Sequence, residues 1–171
     1  LAGVTGVQTC ALPICVQAEI DRIYNIKGDE SVDHIHKKLY HIMWDYVGMA
    51  RNEKGLKKAL AMLKDIRKEF NENLFIPGTK EGVNVELDKA IHLRDFILMG
   101  ELIAYDALHR EESCGGHFRE EHQTEEGEAK RDDENFCYVG AWEYKGDGVA
   151  PELSKEPLTF DNVHLATRSY K

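Results

Sequence analysis

The sequence lacks three features that would place it in large functional classes. It has no long hydrophobic run: the longest, Phe96 to Ala104, is interrupted by Glu101 and is far shorter than the roughly 20 residues that a membrane-spanning helix needs. Basic residues are in deficit, with 22 Lys and Arg against 31 Asp and Glu, and the net charge of −9 disfavours nucleic-acid binding through phosphate neutralisation. No stretch combines a basic face with an aromatic one, so a lipid-surface helix is disfavoured as well.

Cysteine is also scarce, and two of the four cysteines, Cys10 and Cys15, lie in a segment unlike the rest. Residues 1–15 carry no charge, whereas the sequence that follows is rich in charge. A secretory signal would need a basic start, and Pro13 interrupts the apolar stretch. The segment from Val4 to Ile14, VTGVQTCALPI, resembles the conceptual translation of a sequencing-library adapter. We therefore expect residues 1–15 to derive from an adapter and the chain to be a fragment of a longer one.

The two remaining cysteines, Cys114 and Cys137, favour a reducing compartment over a disulfide scaffold. Cys114 and His117 have a Cys-x-x-His spacing, but a structural zinc site needs four ligands. Only Cys137 and His122 are at hand to complete it, so we predict no metal there.

Three histidines, His34, His36 and His41, lie close together in a segment with helical periodicity. A di-iron bundle would need Glu-x-x-His pairs on two helices. No histidine of the chain has Glu three residues before it, so we predict that these three are solvated residues of a helix surface.

Three helices are predicted from apolar residues at three- and four-residue steps. The first begins after Gly28 with Ser31 as its N-cap, the second opens at Asn52 and stops at Pro77-Gly78, and the third runs from Asn84 to about Arg110. Their stripes are Val32, Ile35, Leu39, Ile42, Tyr46 and Met49; Leu56, Leu60, Leu63, Ile66 or Arg67, Phe70 and Leu74; and Leu87, Ile91, Leu98, Leu102, Tyr105 and Leu108.

The third helix carries further apolar residues outside its stripe, among them Leu93, Phe96 and Ile97. A helix that is apolar on more than one side is buried on more than one side. We therefore expect a body absent from this chain to cover the rest, and aspartate at Phe96 or Leu98 to abolish folding or assembly.

The sequence after Ser113 changes character. Glu120 to Asp133 is a charged loop, whereas Phe136 to Tyr144 and Leu158 to Thr167 are rich in β-branched and aromatic residues and predict two strands. The fold class is therefore mainly α: an antiparallel, spectrin-repeat-like three-helix bundle over residues 31–112, followed over 113–171 by a loop-rich C-terminal extension with short strands and no helix.

Known catalytic and nucleotide-binding motifs are missing. No Gly-x-Ser-x-Gly elbow follows a strand, Gly115-Gly116 lacks the lysine of a phosphate-binding loop, and no dinucleotide fingerprint precedes a helix. The segment His109 to His117, HREESCGGH, is the densest cluster of polar groups. Two interpretations stay open: a helix C-cap at Gly115 with a solvated ion-pair cluster, or a loop held against a partner surface through His117 and the arginines.

Five motifs extend along the chain from this segment: Ile42-Met43-Trp44, Val47-Gly48-Met49-Ala50-Arg51, Leu102 through Ala107, Glu112-Ser113-Cys114-Gly115-Gly116-His117 and Arg131-Asp132-Asp133-Glu134-Asn135-Phe136. In these motifs the chain resembles the flavoprotein subunit of succinate dehydrogenase and fumarate reductase, and the resemblance runs from Val16 to Lys171. In most of that family an Arg stands at the position of Cys114 and an Ala at that of Gly116, and the insertion Glu121–Lys130 is longer here.

The resemblance implies a C-terminal region packed on a flavin-binding domain that is missing here, with residues 16–30 as the linker from it. FAD and the catalytic residues of the family lie upstream, so no catalytic, cofactor-binding or metal residue is carried over. The implied partners are an iron–sulfur subunit with its clusters and, indirectly, membrane anchor subunits at the cytoplasmic face of the inner membrane; no nucleic acid is implied. The candidate interface residues are Ser113, Cys114, Gly115, His117, Arg119, Arg131, Asp132 and Asp133.

The sequence leaves three alternatives open. The chain could be a stand-alone helical interaction module, or a metal-dependent helical enzyme that uses its histidines. It could also derive from L-aspartate oxidase, which shares a helical C-terminal domain with the family but has no iron–sulfur partner. Arg131-Asp132-Asp133 and the tail after Tyr144 favour the succinate and fumarate branch.

Overall fold

The computed structural model describes residues 7–146 and 148–166, with side chains from residue 14 onward, and its architecture is mainly α. The helices are α1 (Val7–Tyr24), α2 (Val32–Val47), α3 (Glu53–Asn73), α4 (Val85–His109) and the single turn α5 (Asp133–Phe136). The strands are β1 (Glu30–Ser31), β2 (Ala50–Arg51), β3 (Leu74–Phe75), β4 (Phe118–Arg119), β5 (Tyr138–Glu143) and β6 (Glu152–Pro157).

The chain divides into two compact units, and α2, α3 and α4 each contribute to both. The first unit lies within Leu1–Trp44 and Ala61–Leu102, and the second within Asp45–Leu60 and Ile103–Lys171.

The predicted N-cap at Ser31 and the predicted helix starts at Asn52 and Asn84 are confirmed. The side-chain oxygens of Ser31, Asn52 and Asn84 each accept the backbone N–H three residues further on, at 3.2, 2.7 and 3.1 Å. Each bond satisfies one of the N–H groups that have no partner inside the first turn of a helix. The starting points of α2, α3 and α4 are therefore encoded locally.

In the first unit the predicted stripe of α2 is buried at Val32, Ile35, Leu39 and Ile42. The prediction that Met49 is the last buried residue of that stripe is wrong, because its side chain is 72% exposed. The helix ends at Val47, so Met49 lies beyond it and no longer follows the helical period.

Helices α2, α3 and α4 approach closely at Gly100 of α4. A Cβ atom at Gly100 would lie 3.1 Å from the sulfur of Met43, 3.6 Å from Leu39 and 3.7 Å from Leu63. The absence of a side chain at this position therefore lets the three helices pack. Along α3 the predicted stripe is buried at Leu56, Leu63, Ile66 and Phe70, and at Leu74 just after the helix, as predicted.

The predicted stripe of α4 is wrong in part. Leu98, one of its members, is 38% exposed, whereas Leu93 and Ile97 are buried together with the alanines that follow the same face. Those alanines are Ala90, Ala104 and Ala107. Because α4 is apolar on several sides, its sequence does not specify one buried face, and the small residues that allow close packing decide it.

The first unit contains a helix, α1, that was not predicted from the sequence. Residues 16–30 are predicted there as a linker, but α1 extends to Tyr24 and Ile23 is fully buried. Asp21 pairs with Lys80 at 2.8 Å, and Arg22 donates to Asn71 at 3.0 Å. The origin of residues 1–15 in an adapter stays a prediction, and residues 1–6 lie outside the described part.

In the second unit the strand predicted over Phe136 to Tyr144 is confirmed as β5, whereas the one predicted over Leu158 to Thr167 is wrong. The partner of β5 is β6, which pairs antiparallel with Glu143 opposite Glu152 and Tyr138 opposite Pro157. Residues 158–166 have no strand, and Thr167 lies outside the described residues. The predicted connection around Gly146 and Pro151 explains why β6 is the partner. A short connection between two antiparallel strands places the residues that follow it, here Glu152 onward, opposite β5.

The expected absence of helix from the C-terminal extension is also wrong, because α5 interrupts it. The side chain of Asp132 caps this turn by accepting the N–H of Asn135 at 3.1 Å. Asp133 and Glu134 occupy its first turn, where negative charge is favourable. Phe136, predicted as the start of a strand, is the last residue of α5.

Candidate functional site: the loop after the last long helix

The candidate residues lie in the second unit, in a loop that follows α4 directly. The helix ends at His109, so the predicted C-cap at Gly115 is wrong. Gly115 instead forms a tight turn in which the N–H of Cys114 donates to the carbonyl of His117 at 2.8 Å and the N–H of His117 donates back at 3.0 Å. Gly115 has a φ of 58°, which side-chain-bearing residues rarely adopt, and the tip of the turn is exposed.

Arg119 is buried, with 2% exposure, and it closes the C-terminal end of α4. Its Nη1 donates to the carbonyls of Ala107 at 2.9 Å and Leu108 at 3.2 Å. These carbonyls belong to the last turn, whose acceptors have no partner within the helix and whose dipole favours a positive charge. Its Nε also pairs with Glu121 at 3.2 Å. Arg119 therefore acts as a side-chain cap from eleven or twelve residues away.

Ser113 is fully buried and locks the loop to Arg119 through two bonds. Its hydroxyl accepts the backbone N–H of Arg119 at 2.8 Å and donates to the carbonyl of Arg119 at 3.1 Å. Its own N–H donates to the carbonyl of Lys130 at 2.9 Å. One serine thus connects both ends of the charged insertion.

Glu112 is also buried and joins the loop to the start of α5. One carboxylate oxygen accepts from Arg110 at 2.8 Å, and the other accepts the backbone N–H of Asp132 at 3.0 Å. Arg110 donates further to the carbonyls of Phe136 at 3.1 Å and Tyr138 at 3.3 Å. Burial and hydrogen bonding within the chain distinguish this network from a solvated ion-pair cluster.

Arg131, Asp132 and Asp133 lie nearer the surface. Arg131 pairs with Asp133 at 2.6 Å, which raises the pKa of Arg131, and it donates to the carbonyl of Ala166 at 3.1 Å. The pKa of Asp132 is lowered, chiefly by the hydrogen bond from the side chain of Asn135. The Arg-Asp-Asp motif therefore starts α5 and fastens the backbone at Ala166 to it.

A parallel strand pair that was not predicted from the sequence holds this loop. β2 pairs with β4, so that Arg51 lies opposite Arg119. The N–H of Phe118 donates to the carbonyl of Met49 at 3.2 Å, and the N–H of Glu120 donates to that of Arg51 at 2.9 Å. Two-residue strands have no periodicity, so no signal in the sequence could have revealed the pair.

His117 is half-buried and its Nε2–H donates to the carbonyl of Arg110 at 2.9 Å. Burial lowers the pKa of His117, the hydrogen bond to Arg110 raises it, and the charges of Arg51, Arg119 and Arg110 lower it further, so that the net shift is downward. The neutral ring is therefore the form that this loop favours.

We expect this environment to make stability depend on pH. The unfolded chain protonates His117 near pH 6.5, whereas the folded chain resists protonation until a lower pH. The contribution of His117 to the free energy of unfolding is therefore fully present above about pH 6.5. Below that pH it decreases, because the unfolded state binds the proton preferentially. In urea unfolding at about pH 7.5 and pH 5.5, the loss on acidification should be smaller in His117→Gln, which keeps an N–H donor. Equal losses in both proteins would contradict this assignment.

The remaining candidates offer little chemistry. His34, His36 and His41 are exposed on α2, as predicted. In the described part of the chain, no group of three or more His, Cys, Asp and Glu side chains is placed to hold a metal ion. None of the described helices has the length and apolar character of a membrane span. What the loop does is mechanical: it ties α4, β2, β4 and α5 together by buried hydrogen bonds.

Comparison with known proteins gives this loop a context. Residues 36–170 match the family model described as "Fumarate reductase flavoprotein C-term". The chain is 34% identical over 102 residues to an uncharacterized FAD-dependent oxidoreductase of Methanocaldococcus jannaschii, covering 60% of this chain and 18% of that protein. It is 30% identical over 118 residues to one subunit of the fumarate reductase (CoM/CoB) of Methanothermobacter marburgensis, covering 68% and 21%.

Two further similarities extend the comparison. The chloroplastic L-aspartate oxidase of Oryza sativa is 36% identical over 93 residues, which covers 54% of this chain and 14% of that protein. In solved structures, the quinol fumarate reductase of E. coli has the same fold with a TM-score of 0.73 and 19% identity, over 98% of this chain and 27% of that one. The chain spans about a fifth of the length of the curated relatives it matches.

Proposed function

Because the chain belongs to the family of fumarate reductase flavoprotein C-terminal regions, we propose that it is the C-terminal part of a flavoprotein that interconverts succinate and fumarate. The observation that carries the proposal is the match to the family over residues 36–170, which includes the loop and the tail after it. The intact flavoprotein uses FAD, the cofactor named for the relative in M. jannaschii. FAD supplies hydride transfer when bound, and this part of the chain contributes no catalytic, cofactor-binding or metal residue.

In this proposal the chain comprises a three-helix bundle over residues 31–112, built from α2, α3 and α4, and an extension over 113–171. The bundle packs on the flavin-binding domain, and residues 16–30 connect the two. The loop residues Ser113, Cys114, Gly115, His117, Arg119, Arg131, Asp132 and Asp133 shape an interface. The buried bonds of Ser113 and Arg119 support this role because they fix the loop before any partner binds.

The partners proposed for the intact flavoprotein are an iron–sulfur subunit, which exchanges electrons with FAD, and membrane anchor subunits that it contacts only indirectly. The assembly lies at the cytoplasmic face of the inner membrane. The similarity in fold to a quinol fumarate reductase supports this arrangement, since that enzyme's name specifies a quinol as its electron donor.

L-aspartate oxidase is the second candidate, favoured by the 36% identity to the rice enzyme. That similarity covers 54% of this chain, whereas the methanogen fumarate reductase covers 68% and the family match reaches residue 170. The extent of the similarity therefore favours fumarate reductase, as the Arg-Asp-Asp motif and the tail after Tyr144 do in the sequence.

The test is to recover the genomic sequence upstream of codon 16 and to express the complete flavoprotein. We expect bound FAD and reduction of fumarate with a reduced viologen dye, no oxidation of L-aspartate, and no flavin in the chain of residues 16–171 alone. Oxidation of L-aspartate without fumarate reduction by a reduced dye would favour the second candidate. A gene that begins near Val16 and encodes a self-sufficient monomer would overturn both and leave a helical interaction module.

A further inference from the structure

Arg51 differs from the other arginines of the described residues in having no carboxylate within ion-pair distance. Each of the others in that part of the chain pairs with Asp or Glu: Arg22, Arg67, Arg94, Arg110, Arg119 and Arg131. The chain carries an excess of acidic residues, with a net charge of −9, so an arginine without one is not explained by composition.

Two hydrogen bonds hold Arg51 in place, one to its backbone and one from its side chain, and they leave the two terminal nitrogens of its guanidinium without an acceptor among the described residues. Its carbonyl accepts the N–H of Glu120 at 2.9 Å, and its own Nε donates to the carbonyl of Gly48 at 2.8 Å. Among the described residues, no hydrogen bond uses its two terminal nitrogens. The side chain is half-buried, so these donors are presented from a fixed position at the surface.

The surroundings of Arg51 favour an anionic group. Burial and the neighbouring charge of Arg119, opposite it in the strand pair, both lower the pKa of Arg51, and Asp106 offsets this only in part. One oxygen of Asp106 already accepts the indole N–H of Trp142 at 2.7 Å. A guanidinium with two free parallel donors matches a carboxylate, which would also relieve the repulsion between the two arginines.

We infer that Arg51 is a docking residue for an Asp or Glu side chain that lies in the same flavoprotein outside residues 1–171. The inference rests on the proposed function, in which about four fifths of the flavoprotein lies outside the chain, as it does for the relatives. Charge complementarity supports this occupant. Met49, two residues before Arg51, adds an apolar side chain that is 72% exposed, as at the apolar part of a protein interface.

The first test identifies the partner in the complete, FAD-loaded flavoprotein. Arg51→Lys places an amine at the docking position, and a water-soluble carbodiimide then forms an amide between that amine and a carboxylate in direct contact. Mass spectrometry should locate the cross-link at an Asp or Glu outside residues 1–171. The exposed Lys64 of α3, which has no ion pair among the described residues, serves as the internal control and should form no such link.

The second test measures the consequence of losing the contact. Arg51→Gln should increase thermolysin cleavage within residues 113–131 of the complete flavoprotein roughly twofold to fivefold, as expected for the loss of a partly exposed charge pair. Lys64→Gln should leave cleavage unchanged. A cross-link only within residues 1–171, or unchanged cleavage in Arg51→Gln, would overturn the inference.

The same experiments distinguish failure of this inference from failure of the proposed function. If Arg51→Gln weakens only the binding of free succinate and leaves cleavage unchanged, the carboxylate belongs to a ligand and the docking contact is rejected. If the complete protein binds no FAD, the proposed function fails first, and the inference fails with it. A flavoprotein that holds FAD and reduces fumarate, yet shows neither effect at Arg51, rejects the inference alone.

Discussion

Replacing Arg119 with methionine is expected to lower the free energy of unfolding by about 2–4 kcal/mol. The guanidinium is buried, and the carbonyls of Ala107 and Leu108 at the end of α4 would lose their donor. Methionine keeps most of the apolar contact of the arginine stem, so the loss reports hydrogen bonding and charge rather than an empty space. Urea unfolding followed by far-UV circular dichroism measures it.

The matched control is Arg131→Met. Arg131 also pairs with a carboxylate, that of Asp133, but both side chains are partly exposed, at 26% and 40%. Surface pairs of this kind contribute about 0–1 kcal/mol. Equal losses for Arg119→Met and Arg131→Met would show that burial at the end of α4 does not set the strength of these bonds.

Helices α2, α3 and α4 could be predicted from the sequence because their signals are local, whereas α1 and α5 were not predicted. Ser31, Asn52 and Asn84 cap α2, α3 and α4 through bonds that span three residues, and a reader of the sequence sees both partners at once. The motif Glu112 to His117 likewise indicated the loop, although its expected C-cap at Gly115 was wrong. Local sequence signals thus predict where an element begins, but they do not predict which residues pack against it.

The contacts of the loop could not be predicted because they join residues far apart in sequence. The cap of α4 by Arg119, the pairing of Ala50–Arg51 with Phe118–Arg119 and the choice of β6 over Leu158 to Thr167 all depend on which segments meet in space. No periodicity distinguishes two-residue strands. The resemblance to a family added an expectation that these loop residues form an interface, and it implied nothing about their burial within the chain.

The buried face of α4 could not be predicted either, because it depends on which helices pack against it. One pair of substitutions tests which face is buried. Ile97→Asp should leave the chain largely unfolded in the absence of denaturant, because Ile97 is 2% exposed and an unpaired charge there costs about 4 kcal/mol or more. Ile97 lies one turn before Gly100, where α2, α3 and α4 meet. Loss of the helical circular dichroism signal at about 25 °C is the expected result.

The neighbouring substitution Phe96→Asp introduces the same charge one position away and is expected to lower the free energy of unfolding of this chain by about 1–2 kcal/mol, because it removes a half-buried ring that contacts His36 and His92 but leaves the charge at the surface. Phe96 is 49% exposed and Leu98 38%, so neither side chain is in the core of this chain. The expectation that aspartate at either position abolishes folding or assembly stays a prediction, and these exposures favour an effect on assembly. A charge at Phe96 stays in water, whereas at Ile97 it must enter the core. If both variants unfold, the exposed face of α4 contributes to the stability of this chain. If neither variant unfolds, water reaches the side chain at position 97, and the close packing around Gly100 does not exclude it.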